Sequence, residues 1–412
     1  MNLPLPHYVL SEIGDRGEQG RTGVEYFSTV HRWMPIISKM RFFNLLMNTP
    51  DVQRTDVGIL SLVMKLVTWT PSADSPDPRT TTYFAAKQLL YTSHLASAMT
   101  LLALQAHVLM AVYEIGHAIY PAAHISVGAC INYAATLGLG WSKQPCEGSN
   151  LSWVEVEEQR RVWWAIVILD RFVSLGWPQR RIVSEPPSMD EALPIADDAF
   201  DNQVKAQASS MTASAPSTIN MGRFARFAQA TYLLDRVLRH IQNDTLSKSA
   251  REEEAFQLDK ALSALITFTA KETKGRAVHI CAQAALCQSA LAILHAPYVS
   301  SDLDASKHRR LIARETMDRV SENFLRESDR RIHGAGLSSE LTSPFSYHWG
   351  YEAALHLEWI ARDRPRSYEA GSRELVHSAL TFGGSRWRLA EVYAKMLEAQ
   401  IGAGGSQTLD TH

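Results

Sequence analysis

A chain of 412 residues, 46% hydrophobic and 20% charged, has the composition of an ordinary globular protein with a sizeable core. Its 41 basic and 43 acidic residues give a net charge of −2, which argues against a domain that binds nucleic acid through its own charge. The cysteines at 130, 146, 281 and 287 form no C-x-x-C pair, which argues against a disulfide framework or a metal cluster and indicates reduced intracellular thiols.

The N-terminal segment, residues 1–23, has no basic start followed by a long apolar stretch, so it predicts a flexible N-terminus rather than a secretory signal. The longest uninterrupted apolar run is VWWAIVIL, far shorter than the ~20 residues that a membrane-spanning helix needs. We therefore expect no membrane partner.

Apolar residues recur at steps of three and four along most of the chain, as in amphipathic α-helices. The clearest case is a pair of stripes, one through Leu101, Leu104 and Val108 and one through Ile131 and Ala134, joined by the short link YPAAH. So short a link predicts an antiparallel helix hairpin. Further helices are predicted at 24–32, 39–47, 56–69, 79–93, 153–174, 221–243, 250–271, 276–295, 305–327, 347–363 and 370–400.

Strand-like alternation is absent, and segments rich in Gly, Pro and Ser separate the helices. The predicted fold is all-α: a single multi-helix assembly of antiparallel hairpins with long internal loops. The predicted helical domain covers 24–400, with an internal loop at 204–222 and a disordered tail at 401–412.

The stretch EEQRRVWWAIVILDRF, residues 157–172, begins and ends with charge. Its centre, 162–169, is apolar on every side of a helix, which predicts burial. Arg160, Arg161, Asp170 and Arg171 then lie near the ends of a buried segment, where Arg–carboxylate pairs to neighbouring helices are expected.

Three interpretations of this helix are open: a catalytic centre, a DNA-reading helix and a buried structural joint. A DNA-reading helix would expose its arginines and would not carry Trp163 and Trp164 side by side. Glu157 stands one turn before Arg161, a spacing that permits an ion pair, and guanidinium groups also pack on indole rings. These features favour the buried joint, in which the arginines and Asp170 hold the helix and the tryptophans fill the space.

An all-α enzyme is the main rival. DDAFD, with Asp197, Asp198 and Asp201, matches the DDxxD pattern by which class I terpene cyclases hold magnesium, and oxygen-rich clusters suit that ion. The second cyclase motif needs an acid where this chain has Arg251, and the two motifs lie too close in sequence. An acidic loop or helix N-terminus is the favoured interpretation, and a magnesium-dependent cyclase-like enzyme stays an alternative.

Other catalytic signatures are missing. The sequence has no Gly-rich phosphate loop, nucleophile elbow or HExxH motif, so we expect no enzyme activity and no cofactor. The basic stretch SKHRRLIAR, residues 306–314, is read as a solvated helix face rather than a nuclear import signal.

The signature region, residues 100–201, resembles the middle homology region of fungal zinc-cluster transcription factors. That pattern has arginines, two tryptophans, an apolar stretch, Asp-Arg, a Gly-Pro turn and then Leu-Pro. The residues that carry it here are Arg160, Arg161, Trp163, Trp164, Asp170, Arg171, Gly176, Pro178, Leu193 and Pro194. A similar entry segment, YFSTVHRWMPIISKMRF, and a similar downstream segment, AILHAPYVSS, extend the resemblance over about residues 24–330.

Two departures qualify the resemblance. The turn carries QRR at 179–181 where relatives often carry Gly-Arg-Pro, and the six-cysteine DNA-binding cluster is not found among these residues. The resemblance implies a nuclear transcription regulator, a helical regulatory module without sequence-specific DNA contacts of its own. It would act through a DNA-binding partner in trans or as a homodimer, on a metabolic or secondary-metabolite gene cluster. The alternative from another class is a metabolite-sensing module with a small-molecule effector.

Overall fold

A computed structural model describes residues 5–48, 54–72, 77–95, 99–140, 151–175, 181–204, 211–272, 282–299, 305–333, 339–363 and 371–406. Sixteen α-helices and no β-strand occur in these ranges, so the prediction of an all-α fold is confirmed. Each predicted helix overlaps an observed one.

Contacts within the chain divide it into two compact units. The N-terminal unit is Met1–Val173 with Arg181–Gln229, and the C-terminal unit is Ser174–Arg180 with Ala230–His412. The single regulatory domain over 24–400 stays a prediction.

The first ten helices are α1 (His7–Ile13), α2 (Arg16–Ser28), α3 (Lys39–Asn48), α4 (Thr55–Thr68), α5 (Thr81–Leu95), α6 (Leu101–Gly116), α7 (Ala122–Thr136), α8 (Trp153–Leu175), α9 (Asp197–Asp201) and α10 (Arg223–Gln242). The other six are α11 (Lys248–Glu272), α12 (Ala282–Val299), α13 (Lys307–His333), α14 (Ser346–Asp363), α15 (Ser372–Gly384) and α16 (Arg388–Ser406).

Helices occupy much of the N-terminal segment, in contrast to the flexible segment predicted for 1–23. Val9 and Ile13 of α1 are buried, and α1 packs against α4. A capping box starts α2: Asp15 Oδ1 accepts from the Glu18 amide at 2.8 Å, and Glu18 Oε2 accepts from the Asp15 amide at 3.0 Å. Packing against α4 and the capping box stabilise helices in this segment, which its modest apolar content does not predict.

The predicted hairpin is formed by α6 and α7, which pack against each other, and α6 also packs against α4. Thr100 caps α6, since its Oγ1 accepts from the Ala103 amide at 3.2 Å. The Tyr133 hydroxyl of α7 accepts from the Thr100 amide at 3.0 Å, which ties the two helices together at that end.

The end of the chain differs from the single helix predicted for 370–400. It is two helices, α15 and α16, and the turn between them is anchored by Trp387, whose indole N–H donates to the Thr342 carbonyl at 2.7 Å. Tyr347 lies so close to Gly383 that a Cβ there would come within 2.3 Å of its ring. The break therefore occurs where a glycine admits close packing and a buried tryptophan turns the chain. Helix α16 reaches Ser406, six residues into the predicted disordered tail, and 407–412 lie outside the described residues.

A buried carboxyl on α14 predicts a pH-dependent stability. Burial raises the pKa of Glu352 to about 7 from 4.5. The nearby His348, 3.7 Å away, supplies no charge at neutral pH, because burial lowers its pKa to about 4. The folded protein thus keeps a proton on Glu352 that the unfolded chain has released, and stability falls as the pH rises from 4.5 through 7.

The substitution Glu352→Gln should therefore raise the free energy of unfolding at pH 8, by at most about 3 kcal/mol, and change it little at pH 5. Thermal denaturation of both proteins at the two pH values measures this. Glu391→Gln on α16 is the control, because Lys395 and Arg388 lower the pKa of Glu391 and the sign at pH 8 should reverse. Equal differences between wild type and Glu352→Gln at the two pH values would contradict the assignment.

Candidate functional site

The centre of the signature is the buried part of α8. Every residue from 161 to 173 is buried, as the apolar surface on all sides of 162–169 predicts. The charged residues at both ends of this segment, Arg161, Asp170 and Arg171, are fully enclosed with their side chains. A buried charge is stable only when it is paired and hydrogen-bonded, so the partners of these groups define the site.

Arg161 uses its guanidinium to join three segments of the N-terminal unit. The side chain is 0% exposed. Its acceptors are Glu157 Oε1 at 2.9 Å, Asp197 Oδ1 at 3.1 Å, the Pro35 carbonyl at 3.2 Å and the Ile195 carbonyl at 2.7 Å. Its central carbon lies 4.1 Å from the centre of the Phe200 ring, a cation–π contact. The entry segment before α3 and the exit segment, residues 193–201 with α9, are therefore both fastened to α8 at one residue.

Glu157 is the matching acceptor. Besides Arg161, it accepts from the Ile195 amide at 2.9 Å and from Arg160 Nη1 at 2.6 Å. Arg160 itself is 32% exposed, and Glu157 is its only acceptor within the described part of the chain. The predicted pairing of Glu157 with Arg161 is observed, whereas Arg160 lies at the rim and, among the described residues, pairs only within α8.

A second acid of α8, Glu158, is a residue that the sequence analysis missed. Its carboxylate accepts from the Ser38 amide at 2.7 Å and from Arg41 Nη1 at 2.5 Å. Arg41 also donates to Glu155 Oε1 at 2.8 Å. Burial raises the pKa of Glu158, and the Arg41 charge opposes that shift. No local pattern announces this contact, because its partners stand more than 110 positions earlier.

The two tryptophans occupy different depths. Trp164 is 0% exposed and its indole N–H donates to the Ala192 carbonyl at 2.9 Å, while Trp163 is 8% exposed. The adjacent Leu193 and Pro194 are also buried. The Leu193 amide donates to the Met211 carbonyl at 2.8 Å, so part of the predicted 204–222 loop lies against the exit segment. Residues 205–210 lie outside the described residues.

At the other end of the buried segment, Asp170 and Arg171 bind residues 183–185. Asp170 Oδ2 accepts from Arg171 Nη1 at 2.9 Å, from the Val183 amide at 3.1 Å, and from the Ser184 amide and hydroxyl, both at 2.9 Å. Arg171 donates further to the Ser184 hydroxyl and to the Ser184 and Glu185 carbonyls. Gly176 and Pro178, two signature residues, lie outside the described residues.

Two of the three acids in the DDAFD motif, on which the cyclase alternative depends, make structural contacts. Asp197 accepts from Arg161 and from the Phe224 amide, and Asp201 lies 2.9 Å from His31. Burial alone would raise the pKa of Asp201, but His31 and the Arg161 charge hold it below its usual range. Asp198 is exposed. Within the described ranges no three acids, histidines or cysteines are placed to hold a metal ion.

Two further predictions concern membrane-spanning helices and the cysteines. None of the described helices is long and apolar enough to cross a membrane. Cys130 and Cys287 are buried thiols, and Cys146 and Cys281 fall outside the described ranges.

Comparison with known proteins places this site in a family. The model of the fungal specific transcription factor domain matches residues 25–259. The chain is 44% identical to the transcription factor BOA15 of Botryotinia fuckeliana (strain B05.10) over 154 residues, which cover 37% of this chain and 84% of that protein. No solved structure matches the chain.

Two other relatives are longer. The chain is 28% identical over 173 residues to the pigment biosynthesis transcriptional activator pigB of Monascus ruber (37% of this chain, 30% of pigB). It is 28% identical over 156 residues to the transcription factor tazR of Aspergillus terreus (36% of this chain, 24% of tazR). The aligned part spans less than a third of each of these relatives. Because the family model covers more than half of the chain, including all of α8, the chain belongs to the fungal specific transcription factor domain family.

Proposed function

We propose that this chain regulates transcription as a non-catalytic helical module that does not itself read DNA bases. The observation that carries the proposal is the burial of Arg161 and Arg171 with acceptors inside the protein. An arginine that reads DNA must present its guanidinium to a base edge or a phosphate. These two arginines of the signature are thus committed to holding the fold, and a net charge of −2 adds no general attraction to DNA.

Base reading is then supplied from outside these 412 residues. The candidates are a DNA-binding partner in trans, a second copy of this chain joined to such a partner, and a further segment of the same protein. Nuclear action follows from that role. The name of pigB, a pigment biosynthesis activator, supports a secondary-metabolite gene cluster as the target.

A tethering experiment tests the proposal. The chain is fused to an unrelated DNA-binding domain in a fungal host and a reporter with the matching site is measured. We expect reporter output to differ from that of the DNA-binding domain alone, in either direction, while the purified unfused chain gives no sequence-specific shift of genomic target fragments. A specific shift by the unfused chain, or no reporter change from a fusion that is present at normal abundance, would reject the proposal.

A further inference from the structure

The outer surface of α5 presents aromatic side chains to solvent. Phe84, Gln88 and Tyr91 follow one another at steps of four and three residues, so they lie on one face of the helix. Phe84 is 58% exposed, Tyr91 is 67% exposed, and Gln88 between them is exposed as well. The other side of α5, with Leu89 and Leu90, is buried, and the helix packs against α4. We call Phe84, Gln88 and Tyr91 the α5 face.

Helix α7 lies beside α5 and also exposes apolar surface. Lys87 of α5 connects the two helices, because its Nζ donates to Ser126 Oγ of α7 at 2.9 Å. Ile125, the neighbour of Ser126, is 68% exposed, and Asn132, two turns further along the same face of α7, is exposed too.

These two helices carry very little charge. Neither α5 nor α7 contains Asp, Glu or Arg, and together they contain a single lysine, Lys87. At the chain's average of 20% charged residues, two helices of 15 residues each would carry about six. The Lys87 Nζ lies 2.8 Å from Oε1 of Glu114, which is 0% exposed and also accepts from the Tyr83 hydroxyl at 2.9 Å. The one charge of the two helices is therefore paired with a carboxylate inside the protein.

An exposed surface that is aromatic and poor in charge is typical of the centre of a protein–protein interface. The order of the side chains along α5 indicates which partner fits. Phe84 precedes Gln88 by four residues and Tyr91 follows it by three. Two copies of α5 that run antiparallel about a two-fold axis at Gln88 therefore place Phe84 of each copy against Tyr91 of the other.

The side chains that meet in this arrangement are complementary. Aromatic rings attract one another edge to face or offset, and the two-fold axis forms the Phe84–Tyr91 pair twice. The Gln88 amide has both a donor and an acceptor, so it can form hydrogen bonds with its own counterpart on the axis. The α5 face is thus complementary to itself.

The lack of charge favours the same partner. A two-fold axis brings a residue near its own counterpart, so a charged residue on such a face would meet a like charge. The α5 face avoids that repulsion, and it offers no charge for an oppositely charged partner to pair with. We propose that α5 forms a homodimer contact in which Phe84 of one copy packs on Tyr91 of the second copy. This contact goes beyond the proposed role in transcription and is tested without it.

Sedimentation velocity of the purified full chain measures the association. The contact involves about two turns of α5 in each copy, which is a small interface, so we expect a dissociation constant on the order of 10 µM. The sedimentation coefficient of the wild type should then rise from the value of a monomer to that of a dimer between about 1 and 100 µM.

Two charge variants and their mixture identify the contact. Phe84→Glu and Tyr91→Lys alter exposed side chains, so both should keep the wild-type Tm, and each should weaken dimerisation at least about tenfold because a ring pair is lost. An equimolar mixture should dimerise more tightly than either variant alone. In the mixed dimer the introduced glutamate meets the introduced lysine, while the second Phe84–Tyr91 pair is intact. Phe256→Lys is the control, since Phe256 is 48% exposed on α11, and its dissociation constant should equal that of the wild type.

Cross-linking tests the position of the axis. Gln88→Cys, treated with a short thiol-reactive cross-linker, should be captured as a covalent dimer. Gln257→Cys is the matched control, because Gln257 is an exposed glutamine of α11, and it should give no more cross-linked dimer than the wild type.

Four results would overturn the contact. A wild type that stays monomeric at about 100 µM would leave the α5 face to a different protein. A dimer that neither Phe84→Glu nor Tyr91→Lys weakens would have its interface elsewhere on the chain. A mixture that dimerises no more tightly than its components, or equal cross-linking of Gln88→Cys and Gln257→Cys, would contradict the antiparallel pairing.

Discussion

Replacing Asp170 with Ala is expected to lower the free energy of unfolding by about 3–5 kcal/mol. The substitution removes the acceptor of Arg171 and of the Val183 and Ser184 amides in a place that is 0% exposed. Arg171 would keep its carbonyl acceptors in Ser184 and Glu185 but lose the carboxylate that pairs with it at 2.9 Å. Removing one partner of a buried charge pair costs more than the pair itself contributes, which is why the effect is large.

Equilibrium urea denaturation of wild type and Asp170→Ala, followed by far-UV circular dichroism, measures the loss. Asp170→Asn is the informative control, because it preserves the volume and one carbonyl oxygen while removing the charge. The free energy of unfolding of Asp170→Asn should lie between those of the wild type and Asp170→Ala. A loss of less than about 1 kcal/mol in Asp170→Ala would contradict the role assigned to the carboxylate.

Replacing Arg161 with Ala is the second large expected effect, again about 3–5 kcal/mol. The change leaves Glu157 buried with its charge uncompensated by this arginine, and it frees the Pro35 and Ile195 carbonyls. It also removes the cation that lies over Phe200. The segments before α3 and after α8 would then lose their common anchor.

The neighbouring Arg160→Ala is the matched control for Arg161→Ala. It removes the same residue type from the same helix turn, but Arg160 is 32% exposed and pairs only with Glu157 among the described residues. Its loss should be below about 1 kcal/mol. Similar losses for the two variants, measured by the same urea titration, would show that burial does not distinguish the two arginines.

The same substitutions have expected effects on reporter output. In the tethered reporter, Arg160→Ala should retain the output of the wild-type fusion, while Arg161→Ala and Asp170→Ala should lose output in step with protein abundance. Loss of output at unchanged abundance in Arg161→Ala would instead indicate a direct contact with a partner.

The helices and the burial of α8 could be predicted from local pattern. An apolar surface on every side of 162–169 can be satisfied only by surrounding it with protein, whatever the fold. The pairing of Glu157 with Arg161 follows equally from helical spacing, because residues four apart lie on one face. The family resemblance came from the same short stretch.

Contacts between residues far apart in the sequence could not be predicted from local pattern. Glu158 meets Arg41 and Ser38 only because α3 and α8 come together, and Ser184 meets Asp170 only because residues 183–185 lie against α8. For the same reason the sequence could not predict the exposure of single arginines. Arg160 stands next to Arg161 but lies at the rim of the buried segment, and Arg309 was expected in solvent but is buried.

The sequence by itself determined that the chain is all-α, where most of its helices lie, and which family the chain resembles, since periodicity and short motifs are properties of neighbouring residues. The tertiary structure alone decided which of the charged residues are enclosed and what satisfies each one. The physical reason is that desolvation depends on the atoms of distant segments, and the same guanidinium is a surface group or a structural anchor according to what packs over it.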